Sequence, residues 1–441
     1  MTAGQPGGWP HKRTSSPHPR RRTGYPPYRC AGLFKPTPVT KATNTGTLKV
    51  VARPSFGCRS TDLRAPEERR RPCSADGLRS TDGRSGLDRA RRLKRATGAT
   101  VVLSATLAAG ILTTTGPASA SSAYGFDQPD AIASYGHEIF VANRASSTIS
   151  VIDAGTSASL GTLEGRSYGF DQPVAMAGEG ADIFVVNQAN NSVTEFSAAT
   201  HAPVRVMSGP RYGFARPVAL AAAGDRLYVL GSAGSVTEVS VASGQPVARA
   251  AGAAYGFAGA SSIAVAQGHV FVTNKASGSV SELDAVTLHP WHVVSKGANG
   301  APAFAAPTAM AVLGSSVWVT NQAGKSLTEL SAATGKVQRV VPQVSNFLPS
   351  PQAITQGGGM LFVASPPGAS PMITQVLLSP KLAMPWMMCN NNGPYTFSNP
   401  AALLVNGPVL WVVNEGGAGG PAGNSVTEMY AWSGSLIRVL R

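Results

Sequence analysis

Charge is scarce in this chain: Asp, Glu, Lys and Arg make up 13% of 441 residues. Cysteine is scarcer still, with 4 in all, and three of them (Cys30, Cys58 and Cys73) fall in the front end. The rest of the chain holds Cys389 alone, which excludes an internal disulfide and any paired-cysteine metal site there. A Gly-x-Ser-x-Gly elbow, a phosphate-binding loop and zinc-ligand spacing are all missing, so no motif names a catalytic, metal or cofactor residue. What is plentiful is glycine (49) and proline (33), which fits many short strands joined by tight turns better than long helices.

The net charge of +15 is equally uneven. Residues 1–95 hold 22 Lys or Arg against 6 Asp or Glu, whereas residues 96–441 hold 15 against 16. The basic excess therefore belongs to the front end, and the remainder offers no electrostatic footprint for nucleic acid.

Residues 1–88 are rich in Arg, Pro, Gly and Ser and show no period of 2 or 3.6. Such a stretch buries too little apolar surface to offset its ordering entropy, so a disordered leader is expected, or a segment upstream of a true start near residue 85. The basic cluster Arg89–Arg95 is followed by a weakly apolar run and then by Ala118-Ser-Ala120, which has the small-x-small form of a signal-peptidase site. Residues 89–120 thus read as a signal peptide cleaved after Ala120, with an uncleaved membrane anchor as the alternative. Arg91-Arg92 carries only part of a twin-arginine export signal. Cleavage would leave a secreted or envelope-associated chain without a stable membrane span.

From Tyr124 onward one unit of about 44 residues recurs seven times. Its anchor is Tyr124-Gly-Phe126, repeated at Tyr168, Tyr212 and Tyr255, with the Phe kept alone at Phe304, Phe347 and Phe397. A proline follows three residues later in most units and four later in the sixth, at Pro351. Then come a short apolar strand, a turn, and a second strand such as Ile183-Phe-Val-Val-Asn187 or Val317-Trp-Val-Thr-Asn321. From the anchor Phe to the Asn place is 17 positions in six units and 18 in the sixth. A third strand such as Ser192-Val-Thr-Glu-Phe196 and a fourth such as Val337-Gln-Arg-Val-Val341 complete each unit.

Four short strands per unit of this size predict an all-β fold, a seven-bladed β-propeller of four-stranded antiparallel blades over residues 121–441. The units run near 124–167, 168–211, 212–254, 255–300, 301–344, 345–394 and 395–441. The second strand reads as one continuous apolar run because both faces of a blade pack on neighbouring blades. Units one and seven each hold four strands, so closure by a shared strand is not expected.

The run Phe/Trp-Val-x-Asn, Ser-Val-x-Glu-Leu and Ala-Thr-Gly-Lys resembles the YVTN-type propeller repeats of bacterial surface proteins. More distantly it is similar to NHL repeats and to streptogramin lyase propellers. The resemblance covers about 318 residues and implies the propeller fold; it says little of function, since propellers host many activities.

Residues that recur in most blades are assigned to the blade itself. The anchor Phe wedges between blades, and the Asn set (Asn143, Asn187, Asn274, Asn321, Asn414) bonds the turn that follows it. The Glu set (Glu195, Glu238, Glu282, Glu329, Glu428) pairs across strands or blades. Function is sought in the departures. In the geometry the resemblance implies, the segment before the first strand lines the channel mouth, which makes Asp127, Gln128, Asp171, Gln172, Arg216 and Asn399 candidate ligand contacts. The polar members fall in units seven, one, two and three, opposite an apolar half, which suits an amphipathic molecule or a peptide. A solvated rim of capped turns is the alternative for these residues.

His137 and His269 lie in distant units, and His289-Pro-Trp-His292 sits on a loop or strand, so neither pair points to a metal. Unit six departs most, with Trp386, Met387, Met388 and Cys389 side by side, either a contact surface or a buried fourth strand. The Gly-rich insertion Glu415–Gly423 reads as a mobile surface loop. The expectation is a secreted monomeric binding scaffold, without cofactor or catalysis, for a protein, peptide or small-molecule partner. The runner-up is a lyase or hydrolase with its site at the channel mouth.

Overall fold

The computed structural model describes residues 123–342, 347–366, 371–378, 395–416 and 423–441, and the backbone of 383–390. The leader, the signal peptide with its cleavage site, and residues 417–422 of the Gly-rich insertion lie outside the described residues. Among the described residues no helix is long and apolar enough to cross a membrane.

The described chain forms 28 strands in seven four-stranded sheets, and in every sheet the four strands follow one another in sequence and pair antiparallel. The blades span Pro129–Leu163, Pro173–Met207, Pro217–Ala251, Ala260–Val294, Pro307–Val341, Ala353–Asn390 and Pro400–Leu440. The first strands (Pro129–Tyr135, Pro173–Glu179, Pro217–Ala223, Ala260–Ala266, Pro307–Leu313, Ala353–Gly357 and Pro400–Asn406) each pack on the first strands of both neighbours, including the seventh on the first. They line a central channel and stay half-exposed, whereas the second and third strands are buried almost throughout.

Side-chain packing between blades closes the ring. Phe126 lies between Ile139, Val141 and Ile152 of blade one and Trp411, Val413 and Val426 of blade seven. Leu440, in the last strand, is buried in the same cluster. Six further clusters repeat the arrangement, each seated on the anchor residue of the later blade. Burying one such aromatic contributes about 1.5–3 kcal/mol. Gly125 (φ +67) lets Tyr124 and Phe126 stack at 5.5 Å, a left-handed backbone that a side chain would strain.

The sixth unit differs from the sequence register. Leu348, 3% exposed, fills the wedge between blades five and six, while Phe347 is only half-buried. Counted from Leu348, the proline again comes three residues later and Ser365, in the Asn place, 17 later. No residue is inserted; the apolar anchor has moved one position along the chain.

The recurring polar residues are used up inside the blades. Asn187 is fully buried; its Nδ2 donates to Ser192 Oγ (3.0 Å) and Thr194 Oγ1 (2.9 Å), and its Oδ1 accepts from the Asp171 N–H (3.3 Å). The Asn therefore ties the incoming turn to the third strand, where the sequence pattern placed its bond in the turn that follows. In all seven blades a third-strand hydroxyl then donates to the carbonyl at the anchor, as Thr194 does to Tyr168 O (2.6 Å). The Glu side chains pair within their blades: Glu195 with Arg205 (2.9 Å), Glu329 with Arg339 (2.5 Å), Glu238 with Arg226 and Glu428 with Arg438 (3.5 Å). Glu428 also accepts from Ser157 of blade one (2.8 Å), across the closing seam. Burial raises the carboxyls of Glu195, Glu238 and Glu428 above the ordinary range, and their arginines oppose it.

Segment 383–390 of blade six is a fourth strand, paired through Cys389 opposite Ile373 and Met387 opposite Gln375. The side chains of Trp386, Met387, Met388 and Cys389 lie outside the described residues.

Candidate functional site at the channel mouth

Two backbone features of the repeat set out one end of the channel. The first is a bulge. Pro129 pairs with Asn143 and Ala131 with Ala142, which leaves Asp130 without a strand partner. The same shift occurs after Pro173, Pro217, Ala260, Pro307 and Pro400. A bulge re-aims the side chain it carries; Asp130, Ser261, Thr308 and Ala401 turn to one cleft, whereas Val174 and Val218 pack against the cores between blades. The occupants vary: Asp130, Val174, Val218, Ser261, Thr308 and Ala401.

The second feature follows the Asn of the second strand. The next residue donates its N–H to the carbonyl of the residue before the first strand. Arg144 bonds Gln128 (3.0 Å), Gln188 bonds Gln172 (3.2 Å), Ser232 bonds Arg216 (3.0 Å), Lys275 bonds Gly259 (2.9 Å), Gln322 bonds Ala306 (3.0 Å) and Glu415 bonds Asn399 (3.2 Å). Of these residues, Lys275 and Glu415 line the cleft described next.

A cleft of about 290 Å³ opens along this end over blades four to seven and one. Asp130, Ser261, Lys275, Thr308, Gln352, Asn399, Ala401 and Glu415 line it. Ser261 Oγ donates to Pro307 O (3.1 Å) and Thr308 Oγ1 to Pro351 O (3.2 Å), so both hydroxyls also staple one blade to the next. Asn399 Nδ2 donates to Glu415 Oε2 at 2.7 Å. Asp130 is pushed up to about 6, first by burial and then by the neighbouring Glu415 carboxylate, while Arg144 at 3.9 Å pulls it down. Lys275 is exposed and makes no ion pair within 4 Å among the described residues.

Of the residues singled out by sequence, Asn399 lines this cleft. Gln128, Gln172 and Arg216 hold the equivalent place in blades one to three, each in the left-handed region (φ 50, 51 and 48) and each exposed. Their N–H groups donate to Asn424 Oδ1 (3.1 Å), Ser147 Oγ (3.1 Å) and Asn191 Oδ1 (2.7 Å) of the preceding blade. Asp127 and Asp171 are half-buried, and their N–H groups are held by Asn143 and Asn187. The cleft does not bring these five together.

Sequence reasoning missed Asp130, Lys275, Gln352 and Glu415. The signal was present: the residues directly after the repeating Pro and the repeating Asn change chemistry from unit to unit while their neighbours do not.

His137 and His269 stay apart, but His269 Nδ1 and His292 Nδ1 stand 3.4 and 3.2 Å from the two oxygens of Glu282. Blade four thus has two imidazoles where four other blades have a guanidinium. Among the described residues no group of three or more His, Cys, Asp or Glu is arranged to hold a metal ion.

No protein-family model matches the chain, and no curated protein matches it by sequence. Solved structures do match in fold. A streptogramin B lyase structure aligns with a TM-score of 0.52 at 12% identity, over 67% of this chain and 92% of that one. The virginiamycin B lyase from Staphylococcus aureus gives 0.50 at 12%, over 65% and 92%. A chain of the mitotic checkpoint complex gives 0.52 at 14%, over 71% and 95%. At these identities the likeness is one of fold, the β-propeller, and the range of proteins that share it assigns no activity.

Proposed function

We propose that this chain is a monomeric binding propeller, secreted or held at the cell envelope, that takes its ligand at the channel mouth without catalysis of its own. The observation that carries this reading is the division of polar residues. The repeated Asn, Glu, Ser and Thr side chains are buried and bonded within the blades. Seven polar groups that differ between blades (Asp130, Ser261, Lys275, Thr308, Gln352, Asn399 and Glu415) instead line one cleft at one mouth. Concave sites with a few convergent polar groups are where propellers and other rings accept small molecules or peptide segments. Asp127, Gln128, Asp171, Gln172 and Arg216 form the outer rim in this reading. The YVTN-type resemblance and the basic, signal-like segment before residue 121 support an exported protein.

A thermal-shift screen with small-molecule and short-peptide libraries tests the reading. Ligands that stabilise the wild type are re-measured against Asn399→Ala, Lys275→Ala and Glu415→Gln, with the exposed Trp432→Ala as control. A loss of ten-fold or more in the mouth variants alone supports it. Ligands that bind all four proteins alike overturn it.

One observation favours the runner-up, a lyase or hydrolase. A carboxyl raised to about 6 beside a second carboxylate suits a general base near neutral pH. Turnover of a screened ligand, abolished by Asp130→Asn, would establish that reading in place of simple binding.

A further inference from the structure

The cleft carries both signs of charge at its two ends. Asp130 belongs to blade one and Glu415 to blade seven, so the carboxylates flank the closing seam. Lys275 follows the second strand of blade four. In a ring of seven, blade four is three steps from blade one and three from blade seven, so it stands across the channel from that seam. Among the described residues no ion pair within 4 Å joins Lys275 to either carboxylate. Arg144, near Asp130, is a single guanidinium against two carboxylates and leaves that end net negative when both are ionised.

We propose, building on the mouth as the binding site, that its ligand is a zwitterion. Its ammonium end sits between Asp130 and Glu415 and its carboxylate end meets Lys275. Gln352 and the backbone along blades five and six supply hydrogen bonds between the two ends. A volume of about 290 Å³ is at the lower limit for small-molecule sites, which fits one amino-acid-like molecule or the free end of a short peptide. Separate ends of opposite sign bind a dipolar molecule in one direction only, and they reject a plain amine or a plain acid by leaving one protein charge unmatched.

The test is a molecular ruler. Straight-chain ω-amino acids from glycine to 8-aminooctanoate are titrated calorimetrically at pH 7.5, alongside the n-alkylamine and n-alkanoate of each length. The expected result is a maximum at one chain length, with the zwitterion binding at least ten-fold tighter than either single-charge analogue. Lys275→Met should erase the preference over the amine, and Asp130→Asn with Glu415→Gln the preference over the acid. Lys275 is exposed and Asp130 and Glu415 are half-buried, and far-UV circular dichroism checks that the variants fold. A zwitterion that binds no better than its amine or acid, or a preference that survives Lys275→Met, overturns the proposal. If a screened ligand of another class still depends on Asn399 and Glu415, the mouth remains the site and only the zwitterion falls. Ligands insensitive to every mouth variant refute both.

Discussion

Replacing Asp130 by Asn should make the protein more stable above pH 6 and leave it unchanged near pH 4. In the folded chain Asp130 holds its proton up to about pH 6, against an ordinary value of 3.8. Between these values the folded state binds more protons than the unfolded state, so the wild type loses stability as pH rises through the window. The loss is complete above pH 6. A gap of about two pH units corresponds to roughly 3 kcal/mol at 1.36 kcal/mol per unit, an upper limit because the side chain is 23% exposed. Asn keeps the shape and cannot ionise, so the variant escapes the cost. For a domain of about 318 residues, roughly 3 kcal/mol amounts to about 4 °C in Tm. The assay is urea and thermal unfolding of both proteins from pH 4 to 8, read as the difference between them. Glu195, Glu238 and Glu428, whose carboxyls burial also raises, act with the same sign but are common to both proteins and cancel. Glu415→Gln should reduce the wild-type slope, since that carboxylate is the second cause of the shift. Parallel curves across pH 4–7 would refute the assignment of Asp130 as a buried, carboxylate-coupled acid.

Three further outcomes are expected. Asn187→Ala removes the donor to the buried Thr194 and Ser192 hydroxyls and the acceptor for the Asp171 N–H, and should cost about 1–3 kcal/mol in chemical denaturation, with no matching loss at exposed Asn190. Leu348→Ala should destabilise by about 2–4 kcal/mol and Phe347→Ala by clearly less, the reverse of what the Phe repeat alone suggests. His292→Arg gives Glu282 the guanidinium that Glu195, Glu238, Glu329 and Glu428 already have, and should raise Tm measured by calorimetry at pH 8.

The sequence by itself determined the ring. Seven recurrences of Phe, Pro and Asn at fixed spacing imply seven copies of one local geometry, and a blade needs only local pairing plus contact with its neighbours. It also marked the recurring Asn and Glu as structural, because a residue repeated around a ring is held there by what every blade shares. Tertiary structure alone decided three matters. It moved the sixth anchor to Leu348, since the wedge selects for burial between blades and accepts Leu as well as Phe. It brought His269 and His292 onto Glu282, a meeting of three strands that spacing along one strand does not reveal. It also brought Asp130, Lys275 and Glu415 to one cleft that Asp127 and Asp171 do not line. The bulge after the proline takes one side chain of the first strand, Asp130 in blade one, out of the ladder. The hydrogen bond from the residue after Asn brings a second strand's end to the same rim. Both are backbone events between residues about 15 apart, and they decide which of several variable positions meet at one cleft.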